Sequence, residues 1–304
     1  MPFNTGQGSQ LIVPGLRRVM FQAYNERPAE YMDVANTKTS KRNFEEDLEF
    51  VGFGTMPAKP EGTATIYTDP IQGEKKRYTH VAFGMGFRIT REMMDDDLYN
   101  IAQPSKMAKE LGKAARNVRE IRFANIFNNG FTIADGFPKS GTQQTLFSTT
   151  HTLLGGGTFA NRPTTEVDLS QAALEAAIIS FNTLVDENNI PIVVMPKMLL
   201  VNPQLIMVAR ELLGSEYKPY VASNEINPTR EDGLTLKINH YLTDADAWFV
   251  GAGKGDHDLN FITRTDLEYQ TGDDFDSGDS KQKAFQRFSV GYGDWRGWYG
   301  STGA

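Results

Sequence analysis

Val81, Phe83, Met85, Phe87 and Ile89 alternate along one strand, and that strand feeds directly into a long run of helical patterning. A period of two marks a half-buried antiparallel strand, which needs a partner beside it and an apolar layer on one face. Upstream, Thr63–Thr68 reads as the outgoing strand of a hairpin that turns at Asp69–Gly73 and returns through Glu74–Arg77. Few residues of this hairpin can bury it against its own domain. The expected partner is therefore a neighbouring subunit, reached through Glu74, Lys75, Lys76, Arg77, Phe83 and Phe87.

The helical pattern that follows has two segments. Thr90 suits the N-cap, and Glu92, Asp95, Asp96 and Asp97 favour the positive end of the helix dipole, with Met94, Leu98 and Ile101 as the buried stripe. Pro104 interrupts, since it lacks a donor and clashes with the preceding turn. Met107, Leu111, Ala114, Val118 and Ile121 then form a second stripe, stopped by Asn128-Asn129-Gly130. This segment alone predicts a rod of roughly 36 Å. Lys106, Lys109, Lys113 and Arg116 share one of its faces. They suit non-specific phosphate contacts with nucleic acid, though a solvated face with Glu110 and Glu120 nearby is the favoured reading.

Elsewhere the elements are shorter. Residues 1–10 read as a mobile polar end, Leu11–Glu26 as a helix, and Leu48 with Phe50 as a short strand. Residues 131–167 are rich in Gly, Ser and Thr and read as loops. A mixed α/β unit opens at Asp168, where Asp168 and Gln171 fit a capping box ahead of Leu174, Ile178, Phe181 and Val185. Ile192–Met195, Met198–Val201, Leu234–Ile238 and Ala247–Val250 read as strands, and Asn202-Pro203 as a helix start. Strand signals resume at Leu259 and continue past an acidic turn, Asp273–Asp279, into Ala284–Tyr292. The fold class is α+β.

Composition removes several functions. The chain has no cysteine, so disulfides and thiolate chemistry are excluded, and a formal charge of −7 argues against coating by nucleic acid through bulk charge. No apolar run approaches the ~18 residues of a membrane span. His80, His151, His240 and His257 are scattered without metal-ligand spacing. Gly84-Met85-Gly86 and Gly251–Gly255 miss the dinucleotide and Walker spacings, and the 273–279 turn carries Asp279 where a calcium loop needs glycine. No catalytic residue, cofactor or metal is assigned. An α/β enzyme built on residues 168–258 would need a converging titratable cluster, which the sequence does not signal.

The order of parts resembles the HK97-fold major capsid proteins of tailed bacteriophages, and more closely the major head subunit of Mu-like phages. The phrases that carry this are Phe83-Gly-Met-Gly-Phe-Arg-Ile-Thr-Arg-Glu-Met93, Leu146-Phe-Ser-Thr-Thr-His151, Tyr241-Leu-Thr-Asp-Ala-Asp-Ala-Trp248 and Phe288-Ser-Val-Gly-Tyr-Gly-Asp-Trp-Arg296. The resemblance implies an N-terminal arm (1–49), an extended loop (50–90), a peripheral domain with a spine helix (91–167), an axial domain (168–258) and a return to the peripheral sheet (259–304). It further implies self-assembly into hexamers and pentamers of an icosahedral shell around double-stranded DNA, within a virion assembled in the bacterial cytoplasm. The implied partners are a portal, a separate scaffold and decoration proteins, with no membrane. An encapsulin-like cellular compartment and a phage tail protein are the alternatives.

Overall fold

The computed structural model describes residues 5–67, 69, 71–92, 102–132, 145–219 and 225–304. The first helix, α1 (Thr5–Tyr24), precedes a single turn, α2 (Tyr31–Val34), and the strands β1 (Asn36–Thr39), β2 (Phe44–Val51), β3 (Ile71–Thr79) and β4 (Val81–Ile89). The rod is α3 (Ala102–Asn128), followed by the short ladder β5 (His151–Thr152) and β6 (Thr158–Phe159). Next come α4 (Gln171–Asn182), β7 (Pro196–Val201), α5 (Ile206–Gly214), β8 (Thr235–Ile238) and β9 (Trp248–Ala252). The chain closes with the long strands β10 (Leu259–Asp273) and β11 (Ser280–Tyr292), then β12 (Trp298–Ser301).

Two four-stranded sheets organise these parts. One has the order β1-β10-β11-β4, with β1 parallel to β10 and the rest antiparallel; the other has the order β12-β9-β7-β8. Within the first, the β10–β11 ladder carries register shifts between Thr263 and Thr265 and between Thr265 and Glu268. α3 lies on this sheet, and α1 packs along α3. The closest approach of the two helices is at Gly112, where a Cβ atom would stand 2.3 Å from the Met20 carbonyl oxygen. Only glycine fits there. α4 and α5 pack on the second sheet around Leu174, Leu199, Val201, Ala209 and Trp248, all fully buried.

One aromatic core joins both sheets. Tyr31, Phe261, Phe288 and Phe83 stack in a column with centroid separations of 4.2, 5.1 and 4.8 Å. At the end of α3, Phe127 meets Trp298 at 4.9 Å and Phe249 at 5.0 Å, which carries the core into the second sheet. Each such pair contributes about 0.5–1.5 kcal/mol beyond its area.

Buried polar groups then fix the register of α3. Arg119 is 4% exposed, and its guanidinium donates to Gln286 and Asp266, both at 2.7 Å. Glu120 accepts the backbone N–H groups of Glu30 (2.9 Å) and Tyr31 (3.2 Å), closing the start of α2. Burial pushes the Glu120 carboxyl up to about 7, against the opposing pull of those two bonds. Burial acts the other way on His151, taking it down to about 4 where it stacks on Trp295 at 4.1 Å.

Several expectations are corrected. The partner of β3 is β2, not Thr63–Thr68; residues 63–67 form no strand, because β2 pairs with β3 from Phe44 to Val51, with one register shift between Leu48 and Phe50, whereas 63–67 have no ladder beside them. The helix starts at Thr5, ahead of the expected Leu11, so residues 5–10 are helical. Met107 and Ile121 face outward, and the buried stripe of α3 is Ala108, Leu111, Ala115, Phe123, Ala124 and Phe127. The stripe was mis-phased because Arg119 and Glu120, charged residues, occupy inward positions. Ser170 rather than Asp168 caps α4, its hydroxyl accepting from the Ala173 N–H. Ile192–Met195 is not a strand, and Val193 is 90% exposed. The stripe expected at Met94, Leu98 and Ile101, with the acidic residues 95–97, lies outside the described residues.

Replacing Gly112 by valine should force α1 off α3 and cost about 1–3 kcal/mol, read as a lower denaturant midpoint. Glu120 gives a pH signature. Its folded pKa is raised above the ordinary carboxylate value, so it favours the fold below about pH 4.5 and that contribution is lost as pH rises through about 7. The stability difference between wild type and Glu120→Gln should therefore shift across that window and be flat above it, as measured by denaturant unfolding at successive pH values.

Candidate functional site

The β2–β3 ribbon stands apart as its own two-stranded sheet. Between its strands, residues 52–67 have no regular structure beyond a turn and are exposed throughout. Phe53, Met56, Ile66 and Tyr67 are 61, 95, 67 and 93% exposed. Apolar side chains displayed together in this way mark an interaction surface.

One face of the ribbon is anchored along its length. Val51 and Tyr78 are buried, and the Asn188 side chain donates to the Gly52 carbonyl at 2.9 Å. Lys76 is also buried, its ammonium donating to the Gly293 carbonyl. A Cβ at Gly293 would overlap the Asp258 carboxylate as it stands, so any side chain there would have to displace it. Around this point Arg296, 7% exposed, pairs with Glu187 at 2.6 Å and Glu49 at 3.7 Å. Burial, then the neighbouring carboxylates, raise the pKa values of Asp47 and Glu49. On the exposed face of the ribbon, Lys75 (2.7 Å) and Arg77 (2.8 Å) hold Glu46, whose carboxyl is kept below its usual value by those hydrogen bonds.

The sequence-predicted contact residues are therefore dispersed. Lys75 and Arg77 are exposed on the ribbon, and the side chain of Glu74 lies outside the described set. Lys76 is committed inside its own chain. β4 is not short of cover: it pairs with β11 along its full length, and Phe83 stacks on Phe288 within the core. Phe87 packs partly against Ile89 and Leu267 and also lines an open hollow of about 660 Å³ with Arg88 and Phe275. On α3, Lys106 and Lys109 are exposed, Lys113 pairs with Glu110 at 2.7 Å, and Arg116 is half-buried.

Phe44 and Leu48 were missed. They are 36 and 49% exposed and sit among Glu45, Glu46 and Asp47, whose charges mask the apolar signal in the sequence. Phe275, fully exposed at the β10–β11 tip, was missed for the same reason. Among the described residues, no group of three or more acidic and histidine side chains is placed to hold a metal ion.

Replacing Phe83 by serine should lower the unfolding free energy of the isolated chain by about 3 kcal/mol or more, since it removes a stacked core ring. Lys76→Met should speed amide exchange in β2 and β3 while leaving β10 and β11 protected, as read by hydrogen-exchange mass spectrometry.

Residues 73–301 match the model of the phage capsid protein family. Among solved structures, the capsid of a native GTA particle superposes with a TM-score of 0.57 at 13% identity, covering 91% of each chain. The bacteriophage JBD30 capsid gives 0.54 at 14% identity, over 71% of this chain and 92% of that one. A virus-like particle from Pyrococcus furiosus gives 0.50 at 10% identity, over 94% and 97%. At such identities the likeness is one of fold. No curated protein matches the chain. The match across most of the sequence, on a fold shared with capsids, makes this chain a member of the phage capsid protein family.

Proposed function

We propose that the chain is the major capsid protein of a tailed phage, building an icosahedral shell of hexamers and pentamers around double-stranded DNA. The observation that carries this is the family match over 73–301, on a chain that presents an anchored ribbon with uncovered apolar side chains. A subunit of a closed shell needs several modest interfaces, and an exposed loop carried on an anchored ribbon gives a neighbour a surface to cover.

In this reading residues 91–167 and 259–304 form the peripheral domain, 168–258 the axial domain, and the ribbon with 52–67 the extended loop. Lys75 and Arg77 take part in contact between copies, together with the exposed edge of Phe87. Lys106 and Lys109, joined by Arg17 and Arg18 on the adjacent α1, offer an exposed basic face for phosphates. A portal, a separate scaffold and decoration proteins are the further partners, and assembly takes place in the bacterial cytoplasm. The likeness to Mu-like head subunits rests on the sequence phrases alone. The cellular-compartment alternative is less favoured, because the matching family is named for phage capsids.

Shortening residues 53–67 to a three-residue glycine-rich turn should leave monomer melting within about 2 °C of wild type, because nothing buried is removed. The same change should abolish closed particles in negative-stain electron microscopy. Particles of unchanged yield would contradict the role given to the loop. Lys106→Gln with Lys109→Gln should flatten the salt dependence of duplex DNA binding by a slope of about two.

A further inference from the structure

The β10–β11 hairpin ends in a tip that its own chain does not use. Phe275 is 100% exposed, flanked by exposed Asp273 and Asp276. Lys281 engages Asp274, and Arg88 stands 3.9 Å from Asp279; Arg88, Lys281 and Lys283 line the same hollow as Asp273 and Phe275, yet no ion pair engages Asp273 or Asp276 among the described residues. An aromatic ring between two carboxylates without an ion-pair partner suits a receptor with an apolar floor and a basic rim.

One such receptor is present on the ribbon. A groove of about 510 Å³ is lined by Arg42, Phe44, Glu46, Leu48, Gln72 and Lys75. Phe44 and Leu48 supply the floor, and the Arg77 guanidinium lies over the Phe44 ring at 4.1 Å. The side chains of Arg42 and Lys75 are 80 and 55% exposed. Glu46 neutralises part of this charge, but Arg42 stands 4.0 Å from the Glu45 carboxylate and its side chain is open to solvent.

The two features cannot meet within one chain. At the tip end of the sheet Ser280 pairs with Ile89; at the other end Phe288 pairs with Val81, and Arg287 bonds Asn43 beside the groove. Eight residues of strand separate these ends, roughly 26 Å at about 3.3 Å per residue. The ribbon is held at its own end by the buried Lys76 and Tyr78, so the groove stays away from the tip of its own chain. A contact between two different surfaces of identical chains is heterologous, and it generates rings or extended layers rather than closed pairs.

We infer that the β10–β11 tip of one copy docks in the β2–β3 groove of a second copy, with Phe275 seated on Phe44 and Leu48 and with Asp273 and Asp276 facing Arg42 and Lys75. This rests on the assembly reading above and names the partner surface of the ribbon.

The test uses the full chain, which contains no cysteine of its own. Leu48→Cys and Phe275→Cys are introduced together, the protein is assembled, and the particles are oxidised and run on a denaturing gel. A ladder of covalent multimers is expected from the double variant, with each single variant giving at most a dimer. In parallel, Arg42→Asp with Lys75→Asp, or Asp273→Lys with Asp276→Lys, should slow assembly several-fold while lowering melting only slightly, since the surface ion pairs involved contribute about 0–1 kcal/mol. Combining the two sets should restore the rate. Particles that form without the ladder or the rescue would overturn the docking and leave the capsid assignment intact. A wild-type chain that stays monomeric in crowded solution, even with the other head proteins of its phage, would overturn both.

Discussion

The last two turns of α3 hold the molecule together. Phe123 and Phe127 are fully buried where the four-stranded sheet of β10 and β11 comes closest to the sheet of β7, β9 and β12. A core that is continuous across two sheets makes each a support for the other. The long strands cannot shift against α3 without disturbing Trp298 and Phe249 in the second sheet. The ribbon depends on the same seam, since Lys76 reaches the carbonyl of Gly293 and Arg296 sits one turn of chain from Trp298.

The polar groups buried beside this seam have a different part to play. Arg119 and Glu120 each spend their charge on fixed partners, Gln286 and Asp266 for one and the α2 backbone for the other. Apolar packing alone would let a rod slide along a sheet. Directed hydrogen bonds from two adjacent residues, aimed at different elements, remove that freedom. These two residues are also the reason the helical face was hard to phase from sequence.

Much of the fold was legible because periodicity is a direct image of one-sided burial. The strand Val81–Ile89, the rod ending at Asn128, the helix start at Asn202-Pro203 and the paired strands around the acidic turn all carry such a signal. It failed where local pattern and tertiary pairing disagree. Thr63–Thr68 alternates like a strand but has no ladder beside residues 63–67, while the charged Phe44–Val51 segment supplies the pairing. Ile192–Met195 reads as a buried strand, yet it forms none, and while Ile192 and Val194 pack on the core, Val193 and Met195 lie open. For the surface, the expected hairpin of Thr63–Thr68 with Glu74–Arg77 is replaced by the pairing of β3 with β2. The commitment of Lys76 and Phe83 inside the chain was not foreseen, because it depends on β10 and β11, some two hundred residues away.

The irregular register of β10 has a consequence for anything built from this chain. An extra residue in one strand of a ladder turns that strand and increases its twist. β10 places two such irregularities between Thr263 and Glu268, near the middle of its pairing with β11. The tip half and the base half of the sheet therefore do not share a plane. A layer made by setting many copies edge to edge starts from a unit that is already bent, so the curvature of the layer is encoded in covalent sequence before any two copies touch.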